Sequence, residues 1–252
     1  MISLIKLLKE VTSSPKAIFL AGSAGSGKSY ISKQLIPSSL TVINVDDTYE
    51  ELLKQSGLGM SQKDFGPEEL SQAAKLMGQA QKITREKYDE LTKGLKNVVI
   101  DGTGGASKPL LKKKAELEAL GYETFMLALY VSPITSLERN LQRDRNLLPS
   151  IVLRTWRDYN RNIGIYKEAF GNNFVLINND PKNADKDFDP DYIKKTFFDT
   201  TKAKGKEKSP EELAKSAQEK EQLNQDIKDL IKMEQQFDTL DQAKQKINNF
   251  LK

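Results

Sequence analysis

The chain has 252 residues, of which 38% are apolar and 29% charged, so it is more polar than an average domain at roughly 45–50% and 25%. Cysteine and histidine are both absent, which excludes disulfides, zinc sites and catalysis by a thiol or an imidazole. The net charge of +4 is too small to indicate nucleic-acid binding by itself. The apolar runs are too short for a membrane helix, and lysines interrupt the N-terminal apolar stretch, so a cytoplasmic protein without a signal peptide is expected.

Short apolar runs alternate with longer helical patterns over residues 1–180, which we expect to form one domain. The predicted strands are 17–21, 41–45, 98–100, 125–131 and 174–177, and the predicted helices are 28–36, 67–94, 107–120, 133–147 and 150–170. Most of the strand segments are continuously apolar, as is typical of parallel strands covered on both faces. The pattern predicts a doubly wound, mainly parallel five-stranded α/β fold of the P-loop NTPase type.

The C-terminal part has a different composition. Residues 181–208 are predicted to be a linker with one short helix, and residues 209–252 a helical tail. Ser209 and Thr239 have the spacing of N-cap residues for two helices. The apolar spacing within the tail has two explanations: the helices dock on their own domain, or they provide a surface for self-association or a protein partner.

A glycine-rich motif follows the first predicted strand and precedes the first predicted helix. It fits Gly-x-x-x-x-Gly-Lys-Ser without a mismatch, as Gly22-Ser23-Ala24-Gly25-Ser26-Gly27-Lys28-Ser29. Such a loop binds phosphates through backbone N–H groups and the positive end of the following helix. We expect Lys28 to contact the β- and γ-phosphates of a nucleoside triphosphate, and the Ser29 hydroxyl to bind Mg²⁺.

Carboxylates follow the second and third predicted strands, whose ends should lie beside this loop. Asp46 is the predicted general base for an acceptor hydroxyl, with Asp47 as second choice; the alternative is that Asp46 caps a helix. Asp101 is predicted to bind Mg²⁺ or the acceptor, and Thr103 the acceptor. The alternative for Asp101 and Thr103 is a plain turn.

Arginines are concentrated in one region. Six of the seven lie between Arg139 and Arg161, on two predicted helices joined by a short turn. Their spacing places Arg139 and Arg143 on one face, and Arg154, Arg157 and Arg161 on one face of the next helix. We predict a lid in which Arg139 and Arg143 bind the nucleotide, Arg143 being catalytic, and Arg154 and Arg157 bind the acceptor. The alternative is a solvated face whose arginines pair with Glu138, Asp144 and Asp158.

Together, the phosphate loop, Asp46-Asp47, Asp101-Gly-Thr103 and Leu137-Glu-Arg-Asn-x-x-Arg143 resemble the zeta-toxin and bacteriophage polynucleotide-kinase group of P-loop kinases. The resemblance covers roughly residues 16–178. It implies ATP and Mg²⁺ as cofactors, Asp46 as base, Lys28 and Ser29 at the phosphates, and Arg143 in the lid. It also raises a phage origin, with the protein in the host cytoplasm or the virion.

The resemblance leaves three hypotheses for function. The first is an ATP-dependent kinase acting on a hydroxyl of a small molecule or nucleotide sugar. The second is a polynucleotide 5′-kinase, which is disfavoured because Tyr49 stands where that branch has an arginine. The third is a nucleotide-binding structural protein that acts through its helical tail.

Overall fold

A computed structural model describes residues 14–60, 65–143, 147–181, 189–198, 210–233 and 235–252. Five parallel strands form one sheet: β1 (Lys16–Gly22), β2 (Thr41–Ile43), β3 (Val98–Gly102), β4 (Glu123–Tyr130) and β5 (Phe174–Asn178). Their order is β2-β3-β1-β4-β5. The chain therefore builds outward from β1 in both directions, and the carboxyl end of β1 lies where the strand order reverses, the usual place for a ligand. The predicted fold is confirmed.

Helices flank the sheet. They are α1 (Lys28–Leu35), α2 (Val45–Ser56), α3 (Pro67–Lys93), α4 (Ser107–Ala119), α5 (Pro133–Leu141), α6 (Pro149–Phe170), α7 (Pro190–Ile193), α8 (Pro210–Ile231) and α9 (Leu240–Leu251). A π-helical turn, Lys194–Phe198, follows α7. No described helix is both long and apolar enough to cross a membrane.

The two faces of the sheet are covered by different helices, because successive strand residues point to opposite sides. Phe19 packs with α4 and α6 on one face, whereas Ile18 and Leu20 pack with α1 and α9 on the other. On both faces of the sheet, nearly all side chains of the central strands are buried. This double coverage explains why the strand segments are continuously apolar in the sequence.

The helix α2 was not predicted, and it shortens the second strand from the predicted 41–45 to Thr41–Ile43. The side chain of Asn44 caps this helix by accepting a hydrogen bond from the backbone N–H of Asp46 at 2.8 Å. On its apolar face, Tyr49 and Leu53 are buried against α3. Tyr49 is fully buried, so it cannot replace the acceptor-binding arginine of the polynucleotide branch.

The helical tail docks on its own domain, the first of the two explanations. Ile247 and Phe250 of α9 lie in the core beneath the sheet, and the Phe250 ring packs 5.1 Å from that of Phe125. Thr239 caps α9 as predicted, in a capping box with Gln242. Ile227 of α8 is buried with the α5–α6 pair. The predicted Ser209 cap lies outside the described residues.

Candidate active site

The glycine-rich loop connects β1 to α1, as the sequence predicts. Gly25 and Gly27 have φ values of +75° and +82°, a left-handed conformation that side chains disfavour. A Cβ on Gly25 would lie 2.6 Å from the carbonyl oxygen of Ser136. The loop therefore needs glycine at this position both for its backbone conformation and for the close approach of α5.

Three consecutive carbonyl groups of the loop are held from outside. The Ser136 hydroxyl donates to the Ala24 carbonyl, the Arg139 guanidinium to that of Gly25 at 3.3 Å, and the Asn179 amide to that of Ser26 at 2.8 Å. These contacts from α5 and from the segment after β5 fix the loop backbone, as is required of a loop that binds an anion through its peptide N–H groups.

Arg139 was predicted to bind the nucleotide. Its guanidinium contacts the loop backbone at Gly25 and donates to the carbonyl of Asn179 at 2.8 Å, so it lies beside the loop that is predicted to bind the nucleotide. The prediction did not include Ser136 and Asn179, because nothing in their local sequence relates them to a loop more than 100 residues away. Only the sheet order brings their segments to the phosphate loop.

Lys28 begins α1, and its ammonium donates to the Gly22 carbonyl at 2.8 Å. Burial lowers the pKa of Lys28 below the usual lysine value, although the carboxylates of Asp101 and Asp46 act in the opposite direction; the positive charge of Arg143 lowers it further. Asp101 lies on β3 beside β1, the strand that leads into this loop, and Lys28 is within the electrostatic influence of Asp101, Asp46 and Arg143. Ser29 is exposed beside Lys28, at the first turn of the same helix.

Asp46 lies in the first turn of α2 and not at the end of a strand, because the helix begins at Val45. The alternative that Asp46 itself caps this helix is wrong, since Asn44 is the cap. Asp46 and Asp47 are both exposed at the carboxyl edge of the sheet. Asp46 is close enough to influence Lys28 and Asp101 electrostatically.

Asp101 lies near the end of β3, next to β1. One carboxylate oxygen, Oδ2, accepts a hydrogen bond from the Asn44 amide at 2.9 Å. The other, Oδ1, is buried and has no hydrogen-bond partner among the described residues. Burial, together with the nearby Asp47 and Asp46 carboxylates, raises the pKa of Asp101 to about 6, despite the opposing effect of Lys28.

This orphaned oxygen bears on the predicted metal site. The part of the chain that the structure describes has no group of three or more acidic residues that could hold a metal by itself. Mg²⁺ usually takes only one or two protein ligands and completes its shell with water and substrate phosphates. An unpartnered Asp101 oxygen and the exposed Ser29 hydroxyl fit an ion that arrives with the nucleotide.

The shifted pKa of Asp101 predicts an effect on stability. Because it is raised from 3.8 to about 6, the folded state holds this proton more tightly than the unfolded chain. The contribution of Asp101 to the free energy of unfolding of the wild-type protein therefore falls as pH rises from about 4 through about 6. In metal-free and nucleotide-free protein, the melting temperature of Asp101→Asn minus that of wild type should increase across this window. A difference that stays constant with pH would contradict the assignment.

The loop after β3 is fixed from α6. Asn162 donates to the Gly105 carbonyl at 3.0 Å and the Tyr166 hydroxyl to that of Gly104 at 2.7 Å. Thr103 is exposed, and its hydroxyl accepts a 3.4 Å hydrogen bond from the Gly105 N–H. The geometry at Thr103 is that of a turn, with the side chain still accessible.

The arginine-bearing helices differ in what they contact. α5 ends at Leu141, earlier than predicted, because the Asn140 side chain bonds both backbone groups of Leu147 and closes the turn. Arg143 follows the helix, is exposed and acts electrostatically on Lys28. Arg145 lies outside the described residues.

On α6, Arg154 is exposed, whereas Arg157 and Arg161 are engaged by the tail. Both guanidinium groups pair with the Asp226 carboxylate of α8, at 3.5 Å and 2.6 Å. Arg157 also pairs with Asp158 at 2.7 Å. Arg157 was predicted to bind the acceptor, and the structure shows it in an ion pair between helices. This arrangement is close to the alternative prediction, in which the arginines pair with carboxylates.

We expect Asp226→Asn to weaken the docking of α8. Its carboxylate is only 11% exposed and serves two cations, so its neutralisation should cost about 1–2 kcal/mol, between the values for exposed and buried pairs. A chain of this size should then melt about 2–8 °C lower. Asp229→Asn, at an exposed position on the same helix, is the matched control. Equal melting temperatures for both variants would contradict a stabilising role of the pair.

The fold and the site define the class of protein: an α/β nucleotide-binding domain of the P-loop type. The chain belongs to the zeta-toxin family, which it matches over residues 5–165. No curated protein matches the sequence significantly.

Solved structures share the fold at low identity. The AvrRxo1-ORF1:AvrRxo1-ORF2 complex with ATP is 14% identical, with a TM-score of 0.54, over 96% of this chain and 83% of that one. The same complex with sulphate ions is 16% identical, with a TM-score of 0.53, over 68% of this chain and 56% of that one. A structure from the PezAT toxin–antitoxin system of Streptococcus pneumoniae is 18% identical, with a TM-score of 0.46, over 89% of this chain and 93% of that one.

Proposed function

We propose that this protein is an ATP-dependent phosphotransferase, which membership of the zeta-toxin family supports. The observation that carries the proposal is that Asn44 holds Asp46, Asp47 and Asp101 together at the end of β3, whose Asp101 pairs in register with Leu20 just before the phosphate loop and its Lys28. A protein that only binds nucleotide needs the loop and its lysine, but it does not need a carboxylate such as the exposed Asp46 to act as a base. A kinase needs that carboxylate for its acceptor.

In the proposed reaction, an acceptor hydroxyl oxygen forms a bond to the γ-phosphorus of ATP, and the bond between this phosphorus and the β,γ-bridging oxygen breaks. Asp46 takes the hydroxyl proton, and ADP leaves with the bond's electron pair. Lys28 and Arg143 stabilise the negative charge on the phosphoryl oxygens. Mg²⁺, held by Ser29 and Asp101, would neutralise charge on the β- and γ-phosphates.

For the acceptor, we propose a hydroxyl of a small molecule or nucleotide sugar, bound near Asp47, Asp101, Thr103 and Arg154. Two observations support it over a polynucleotide 5′-end. Tyr49 is buried, leaving no basic group at the position used by that branch. The described lid carries few unpaired cations, since Arg157 and Arg161 already have a carboxylate partner.

The test is a transfer assay with γ-labelled ATP. Sugars, nucleotide sugars and 5′-hydroxyl oligonucleotides are offered separately, with mass spectrometry to locate the added phosphate. Label on a sugar or nucleotide sugar supports the proposal. Label confined to the oligonucleotide, with binding that weakens steeply with salt, would instead identify a polynucleotide kinase. ATP binding without transfer to any acceptor or to water would indicate a nucleotide-binding protein.

A protein partner at residues 209–252 remains a proposal. The apolar residues of α9, among them Ile247 and Phe250, lie in the core of the domain. Deleting the tail would therefore expose the sheet and could not distinguish a lost partner from a lost fold. Charge reversal at exposed positions such as Lys220 and Lys228, followed by co-purification, is the sharper test.

A further inference from the structure

The side chain of Asn44 joins groups from two elements of the site. Its oxygen accepts a hydrogen bond from the Asp46 N–H at 2.8 Å, and its amide nitrogen donates to Asp101 Oδ2 at 2.9 Å and to Asp47 Oδ1 at 3.3 Å. One amide therefore contacts the proposed base through its backbone and the two neighbouring carboxylates through their oxygens.

The two halves of this amide have separable purposes. The oxygen alone is enough to cap α2, and serine or aspartate would serve equally well in that role. The nitrogen is not needed for capping. It reaches across to β3, 57 residues further along the chain, and supplies the donor that two adjacent carboxylates require when they lie close together.

We propose that Asn44 is a positioning residue for phosphoryl transfer: its amide fixes the first turn of α2 relative to the end of β3, and so sets the separation between Asp46 and Asp101. This inference rests on the proposed function. Asn44 would not touch the reacting atoms. Its contribution follows from geometry, since displacement of a catalytic group by about 1 Å can cost about 100-fold in rate.

Four variants distinguish positioning from simple capping. Asn44→Ser keeps a capping oxygen but has no donor that reaches Asp101. Asn44→Asp also keeps the cap, but replaces the donor with a third carboxylate oxygen facing Asp101 and Asp47. Asn44→Ala loses both functions. Thr239→Ala, which removes the cap of α9 far from the site, is the matched control for the loss of a cap alone.

Kinetics are measured with ATP and the fastest acceptor in the panel described above, or with water if ATP hydrolysis is faster. We expect Asn44→Ser and Asn44→Asp to lower kcat by about 10- to 100-fold while the KM for ATP changes by less than about 2-fold, because the phosphate loop is untouched. Thr239→Ala should keep wild-type kcat. If Asn44→Ser keeps wild-type kcat and only Asn44→Ala is impaired, Asn44 is merely a cap and the inference is overturned.

A second measurement does not depend on activity. In the double variant Asn44→Asp/Asp101→Asn, the amide and the carboxylate exchange places, so the hydrogen bond between the two positions can form again. Its melting temperature should exceed the value obtained by adding the two single changes. Additivity would overturn the contact on which the inference rests. If the wild-type protein transfers no phosphoryl group, the proposed function is overturned. The melting temperatures of the four proteins in this cycle still show whether the side chains at positions 44 and 101 interact.

Discussion

Asp46→Asn is expected to lower kcat for phosphoryl transfer by about 10²- to 10⁴-fold, the usual contribution of a positioned general base. The amide has nearly the same shape but cannot accept the acceptor's proton. ATP affinity should change little, because Asp46 belongs to α2 and not to the phosphate loop. Steady-state kinetics with the acceptor identified in the panel, together with calorimetric titration of ATP, measure both quantities.

The matched control is Asp47→Asn, one residue along the same first turn. Both carboxylates are exposed, and both are electrostatically close to Asp101. If Asp46 is the base, the control should retain kcat to within about 10-fold of wild type, well short of the loss expected for a base. A larger loss of kcat in Asp47→Asn than in Asp46→Asn would identify Asp47 as the general base.

Lys28→Met should lower kcat by about 10²- to 10³-fold, the usual loss when a preorganised charge on the transferred group is removed. The ammonium donates a hydrogen bond to the Gly22 carbonyl, which holds it at the phosphate loop. Methionine keeps the length and apolar stem of the side chain but has no charge. The measurement is the same transfer assay, combined with direct titration of ATP.

Lys33→Met provides the control for this change. Lys33 lies on the same helix as Lys28, is exposed, and is in the last turn, away from the phosphate loop. Its variant should retain wild-type transfer. Full activity of Lys28→Met would show that the loop lysine takes no part in catalysis, and with it the proposed reaction would fail.

The sequence predicts the sheet well for a physical reason. Parallel strands covered on both faces must be continuously apolar, so β1, β4 and β5 stand out in the sequence. The phosphate loop is equally clear, because its glycines and lysine are required by the local backbone and charge. The starts of α3 and α6 follow from the proline at the first position of each helix.

The helix α2 shows what sequence patterns miss. Its first turn, Val45-Asp46-Asp47, reads as the end of a strand because Val45 continues the apolar run of β2. The boundary is set by Asn44, whose side chain ends the strand by capping the helix. An Asn three residues before Asp47 is a weak signal beside an apolar run, so the sequence pattern assigns Asp46 to the end of a strand, whereas it lies in the first turn of a helix at the same edge of the sheet.

The arginines show a different limit. Their spacing correctly places Arg154, Arg157 and Arg161 on one helix, α6, but α5 ends before Arg143, and spacing alone cannot say which groups the arginines contact. Asp226, which pairs with Arg157 and Arg161, lies on α8, and it follows Arg161 by more than 60 residues in the chain. Likewise, the contact of Arg139 with the loop backbone depends on the packing of α5 against the phosphate loop. Such partners are set by tertiary packing, which no local pattern encodes.

A crystal structure with a non-hydrolysable ATP analogue and Mg²⁺ is the most direct test of the account. An acceptor oxygen must lie about 3–3.5 Å from the γ-phosphorus and within about 2.6–3.2 Å of its base. We therefore predict an Asp46 carboxylate oxygen less than about 7 Å from that phosphorus, with Lys28 and Arg143 on the terminal phosphate. An Asp46 side chain turned away from the γ-phosphate, or a triphosphate bound outside the Gly22–Ser29 loop, would contradict it.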